Sequence, residues 1–275
     1  MPRYPVCITA WTTLRCRSGQ LLLIAFALAS LVWPVEVPAG PPVTRLGAGA
    51  DEVWLLWPSG RPRSIVVFGH GWSTPLPSSG FGPWLAHLQA GGSIVVYPRY
   101  RVGAGDSTTS ALAAFQAGVK AAFARIGNRH LPVVAVGKSF GGSAVFYYAA
   151  LAQSWGVPPP TTILSIFPAL PIGALPARQV PNGTYVEFFV GDADTTAGSA
   201  GADAFWRWLG GHPVSRKRYV VIRSRPGFVA NHDSAQRSDK LAQAIFWTPL
   251  DRLIARAVLH HRKGTLLRAA VVVRR

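Results

Sequence analysis

Apolar residues in this chain fall into short, unbroken runs rich in β-branched residues, separated by longer stretches with helical spacing. Ser64–Phe68 reads Ser-Ile-Val-Val-Phe, Ser93–Tyr97 reads Ser-Ile-Val-Val-Tyr, and Leu131–Val136 reads Leu-Pro-Val-Val-Ala-Val. Runs of this kind, without polar alternation, suit strands buried on both faces. Val53–Trp57, Thr161–Phe167, Tyr185–Val190 and Arg218–Ile222 predict further strands. Helices are expected at Trp84–Gln89, at Ser107–Arg125 with Ser107 or Thr108 as N-cap, at Ser143–Gln153, at Ala202–Leu209, and in two C-terminal pieces, Asp239–Trp247 and Arg252–His260. Strand and helix alternating in this way predict an α/β fold: a mostly parallel central sheet with helices on both faces. No internal repeat interrupts it.

The first 39 residues follow another pattern. Arg3, Arg15 and Arg17 precede a run of 13 residues, Leu21–Trp33, that is apolar except for Ser30. A membrane-spanning helix needs about 17–25 residues, whereas the core of a signal peptide needs about 7–15. Val37-Pro38-Ala39 places small residues where a signal peptidase cuts. Residues 1–39 are therefore expected to be a signal peptide, cleaved near Ala39 in an exported protein, or else an uncleaved N-terminal anchor. Residues 40–52, rich in Pro and Gly, read as a linker, and 53–275 as the domain.

Composition narrows the function classes. Apolar residues make up 49% of the chain and charged residues 14%, enough for a substantial core. Both cysteines, Cys7 and Cys16, lie in the leader, so residues 40–275 carry no thiol nucleophile and no internal disulfide. The net charge is +17; three arginines and one glutamate fall in the first 39 residues, which leaves +15 on the rest. A basic surface suits association with a membrane or another anionic surface. Nucleic acid is not the expected partner, because zinc-finger spacing and aromatic RNA-binding signatures are both missing. The histidines do not fall at metal-ligand spacing and there is no His-Glu-x-x-His, so no metal or cofactor is expected.

Gly137-Lys138-Ser139-Phe140-Gly141 matches Gly-x-Ser-x-Gly, with a strand running into it and a small-residue helix leaving it. That context suits a serine lifted above a sheet on a sharp strand-to-helix turn. The embedded Gly-Lys-Ser also ends a phosphate-binding loop pattern. That pattern needs a glycine five residues before Gly137, where Pro132 stands inside a strand.

With this turn in its strand-and-helix context, the stretch from about 53 to 260 resembles the α/β-hydrolase family, and in particular its compact esterase-like members. The resemblance implies a Ser, acid, His order along the chain and an oxyanion hole made by two backbone amides. His70-Gly71-Trp72 follows an early strand, which gives Trp72 one amide, and Phe140, next after Ser139, the other. Gly191-Asp192-Ala193-Asp194 ends a strand and offers the acid, with Asp194 preferred to Asp192. Asn231-His232-Asp233 follows the last strand and offers His232 as base. The resemblance differs from many relatives at Lys138, a cation beside the nucleophile. Pro168–Thr184, where many relatives insert a cap domain, is too short for one, so an open site edged by Trp72, Phe140 and Phe167 is expected. The implied activity is hydrolysis of carboxylic esters, small or polymeric. An acyltransferase with the same residues and a non-catalytic envelope binding protein on this fold are the alternatives.

Overall fold

The computed structural model describes residues 42–272, apart from Ala104 and Arg178. The expected leader lies outside the described residues. Eight strands form one sheet: β1 (Val43–Leu46), β2 (Val53–Leu56), β3 (Ser64–Gly69), β4 (Ser93–Pro98), β5 (Val133–Lys138), β6 (Thr162–Ile166), β7 (Tyr185–Gly191) and β8 (Lys217–Ile222), in the order β1-β2-β4-β3-β5-β6-β7-β8. β1 and β2 pair antiparallel, as do β2 and β4; every pairing from β4 through β8 is parallel.

The strands at the centre are apolar throughout because both of their faces are covered. Along β3, Ile65 and Val67 enter one core and Val66 and Phe68 the other. The first core packs against α2 (Thr108–Ile126), α3 (Phe140–Trp155) and α4 (Ala200–Trp208); the second against α1 (Gly82–Ala90) and the C-terminal helices. Ser107 caps α2 with its hydroxyl on the Ser110 amide, while Ser110 Oγ accepts from the Ser107 amide. Such a reciprocal cap satisfies two donors that the helix itself cannot.

Two expectations need correction. Part of the expected linker, Val43–Leu46, is the edge strand β1, so the folded unit begins before residue 53. Its four residues alternate weakly, and the neighbouring prolines and glycines mask them. Gly47, at φ +71°, closes the turn that follows: a Cβ there would lie 2.6 Å from the Asp51 carbonyl oxygen. The two C-terminal helices are one helical run. α5 (Lys240–Ala242) passes through a π-helical turn, Gln243–Trp247, into α6 (Thr248–Val272). Pro249 has no amide to donate and its ring crowds the preceding turn. The wider π turn just ahead of it lets the helix continue.

Among the described residues, 168–184 form no helix or strand. The segment lies against the body of the domain, with Ile172 and Val180 buried and the Pro176 carbonyl accepting from the Trp208 indole at 3.2 Å. It carries no cap domain.

Candidate functional site

Ser139 stands between β5 and α3 at φ +57°, ψ −121°. A side chain rarely occupies that region, and the surroundings hold it there. A Cβ on Gly137 would lie 2.1 Å from the Gly141 carbonyl oxygen, and one on Gly141 would lie 2.2 Å from Gly69. Only glycine at both positions lets α3 pack this closely on β5 and β3. The Ser139 amide donates to the Ile166 carbonyl at 3.0 Å, and the Ser139 carbonyl accepts from Ala169 at 3.0 Å.

The structure brings Ser139, His232 and Asp194 into one hydrogen-bonded chain. His232 Nε2 lies 2.9 Å from Ser139 Oγ, and His232 Nδ1 lies 2.9 Å from Asp194 Oδ2. An ionised carboxylate can only accept, so Nδ1 carries the proton and Nε2 is left to accept the serine hydroxyl. Asp194 is itself fixed, since its Oδ1 accepts the Thr196 and Ala197 amides at 2.9 and 3.0 Å. The Phe167 ring, buried at φ +47°, lies 6.2 Å from the His232 ring. Asp192 points elsewhere and accepts from the Ser224 hydroxyl at 2.6 Å and the Ser224 amide at 2.9 and 3.0 Å. Those bonds hold its carboxyl below the usual range and tie the β7 and β8 loops together.

Around Ser139 two of the neighbouring amides are occupied. Gly71 N–H donates to Thr74 Oγ1 and Gly141 N–H to the His70 carbonyl. Among the described residues, the Trp72 and Phe140 amides meet no protein acceptor. Their side chains pack on each other with ring centroids 5.2 Å apart. Phe140 and Phe167 are buried, so of the three expected edge residues only Trp72 is partly open to solvent.

Three supporting groups make contacts that no motif predicts. Arg101 lies over the Trp72 ring at 4.3 Å and donates to the Trp72 carbonyl, which holds that loop in place. His70 is fully buried, stacks on Tyr100 at 3.8 Å, and sits 2.6 Å from both the Gly71 and Arg99 carbonyls. Two such acceptors favour an added proton, but complete burial outweighs them and pushes the imidazole down to about 4. Lys138 is 3% exposed, and its Nζ reaches Asp233 Oδ1 at 3.1 Å. Burial pushes its ammonium below the usual lysine range, and Asp233 only partly restores it. A sequence shows that these residues exist, but not that their side chains meet. Among the described residues, no three His, Cys, Asp or Glu side chains converge as a metal site requires.

No family model matches this chain, and no curated protein matches it. Solved structures do. A thermophilic esterase from Thermogutta terrifontis superposes with TM-score 0.56 at 18% identity, over 80% of this chain and 95% of that one. Esterase B from Lactobacillus rhamnosis gives 0.60 at 14%, over 81% and 88%. An α/β-hydrolase enzyme from a Medee basin deep-sea metagenome gives 0.58 at 13%, over 79% and 98%. The fold is that of the α/β-hydrolases. In α/β-hydrolase folds a nucleophile stands on a strained turn at the carboxyl end of a central strand, and Ser139 occupies such a turn after β5.

Proposed function

We propose that this α/β-hydrolase-fold protein is a serine hydrolase of carboxylic esters. The observation that carries the reading is the unbroken chain Ser139 Oγ, His232 Nε2, His232 Nδ1, Asp194 Oδ2, with both links at 2.9 Å and Ser139 on a left-handed turn. A serine hydroxyl is a weak nucleophile until a positioned base removes its proton. Esterase names among the structural neighbours support the same class of reaction.

His232 Nε2 takes the Ser139 proton as Oγ attacks the ester carbonyl carbon. Asp194 holds the imidazole in orientation and stabilises its cation. The carbonyl π electrons move onto oxygen, and the Trp72 and Phe140 amides donate to the oxyanion. Collapse of the tetrahedral intermediate expels the alcohol, which takes the proton from His232. A water molecule then gives a proton to His232 and attacks the acyl carbon. Ser139 leaves, recovers its proton, and the carboxylic acid is released.

The test is a fluorophosphonate probe followed by peptide mapping. Stoichiometric labelling on Ser139, abolished in Ser139→Ala and strongly slowed in His232→Ala, is expected. Labelling elsewhere, or labelling that persists in Ser139→Ala, overturns the reading.

A further inference from the structure

Charge is sorted between the two ends of the sheet. Ten of the carboxylate residues are described. Asp51 and Glu52 adjoin β2 where Val53 pairs with Pro98, at the carboxyl end of β4. Asp106, Asp192, Asp194, Asp233 and Asp239 lie in the segments that follow the carboxyl ends of β4, β7 and β8. Glu187, Asp203 and Asp251 lie within β7, α4 and α6. The connections at the amino ends, residues 57–63, 91–92, 127–132, 156–161, 181–184 and 210–216, hold no carboxylate, and neither does the chain after Asp251.

Those same connections hold Arg61, Arg63, Arg129 and Arg216, all exposed, and α6 brings Arg262 and Lys263 alongside. A hollow of about 660 Å³ at this edge is lined by Arg61, Arg63, His130, His261 and Arg262, with Val258, Leu131 and two prolines between them. Among the described residues, no carboxylate pairs with Arg61, Arg63, Arg129 or Arg262. Arg125 in the last turn of α2 complements the carbonyl end of that helix. Arg61 and Arg63 stand on a loop, where no such effect accounts for them.

The segment before the folded unit joins at this edge. The Trp57 amide donates to the Pro42 carbonyl at 2.9 Å, and Val43 pairs with Leu56, so the described chain begins beside the 57–63 loop. The sequence before Pro42 includes the run Leu21–Trp33, apolar except for Ser30. A basic face with a single carboxylate at its margin, Asp251 in the adjoining hollow that Arg63 and Arg262 also line, beside the point where the described chain begins, fits a bilayer surface better than a polynucleotide. We propose that the amino-terminal edge of the sheet docks on an anionic phospholipid surface, with Ser139 and His232 on the opposite side of the molecule. The proposal does not rest on the hydrolase reading and survives the failure of that reading.

The test is co-sedimentation of the full chain with phosphatidylglycerol-containing vesicles and with pure phosphatidylcholine vesicles. Each basic residue near an anionic surface contributes roughly a four- to six-fold gain in partitioning. Arg61→Glu/Arg63→Glu should therefore lower partitioning onto the anionic vesicles by at least about thirty-fold and leave phosphatidylcholine binding unchanged. The matched pair Arg223→Glu/Arg225→Glu, at the carboxyl end of β8, has the same net charge and should lose less than about three-fold. Arg61→Lys/Arg63→Lys should bind as the unaltered chain does, and melting curves check that all variants fold. Three results overturn the proposal: equal losses in the two Glu pairs, equal binding of the unaltered chain to both vesicle types, or tighter binding to a DNA duplex than to vesicles at the same salt.

Discussion

At the carboxyl ends of β4, β5 and β6 the backbone holds non-glycine residues at positive φ: Tyr100 at +36°, Ser139 at +57° and Phe167 at +47°. At the amino ends the positive-φ residues are Gly92, Gly127 and Gly156. The chain thus turns with little strain at one edge and with strain at the other. Each non-glycine case costs about 1–3 kcal/mol, and it persists only where neighbours over-determine it. All three are buried or built into packed turns around one place. Tyr100 stacks on His70, Phe167 stands by His232, and Ser139 is held by Gly137 and Gly141. Polar chemistry divides the same way, with paired and oriented carboxylates at the strained edge and uncompensated cations at the relaxed one. The contrast teaches that the strained edge is organised for geometry and the relaxed edge for net field.

Substitutions of Ser139, His232 and Asp194 at the strained edge should cost turnover far more than stability, and this sharpens the contrast most. Ser139→Ala and His232→Ala should each lower ester turnover by about 10⁶. Asp194→Asn should cost roughly 10⁴ through loss of the correct histidine tautomer. Asp192→Asn should stay within about ten-fold, since its bonds go to Ser224. Initial rates on a soluble short-chain ester measure all four. A larger loss from Asp192→Asn than from Asp194→Asn would mean that the wrong carboxylate has been assigned to His232.

The sequence made the central strands legible because burial on both faces leaves an apolar run that little else produces. It made the turn at Ser139 legible because two glycines are required within five residues. β1 escaped because an edge strand of four residues carries too short a period. The π turn ahead of Pro249 escaped because proline looks like a helix stop until the tertiary packing of α6 is known. The order Ser139, Asp194, His232 along the chain could be read, but Asp192 and Asp194 are two residues apart on one turn. Only the loop geometry decides which of them faces His232. The Lys138–Asp233 and Arg101–Trp72 contacts join residues 95 and 29 apart, and neither pair has a local signature.

A second way to probe the strained edge is by pH. His70 is neutral in the folded protein down to about pH 4, but it titrates near its ordinary 6.5 when the chain unfolds. Between those values the unfolded chain binds the extra proton, so stability is fully present above about pH 6.5 and falls as pH drops toward 4. The contribution at neutral pH is on the order of 3 kcal/mol. Urea melts across pH 4–7 should show this loss, and His70→Gln should flatten that part of the profile even though it is less stable throughout. An unchanged slope in His70→Gln would assign the acid sensitivity to the carboxylates of the same edge.

The smallest expected effect concerns the ion pair beside Ser139 and His232. Lys138 immediately precedes Ser139 and Asp233 immediately follows His232, so their contact at 3.1 Å ties the turn after β5 to the loop after β8. The Asp233 carboxylate is 74% exposed, which screens the attraction; the Lys138 ammonium is 3% exposed and depends on it. Asp233 is further held by the Gln236 amide at 2.7 Å. Asp233→Asn should lower kcat by about three- to ten-fold with little change in KM, because it loosens the His232 loop without touching the ester. Lys138→Met should do the same, and the double variant should lose no more than either single one, since the second change removes a contact already broken. Full additivity would show that the two residues act separately, and the strained edge would then be held by its glycines and hydrogen bonds alone.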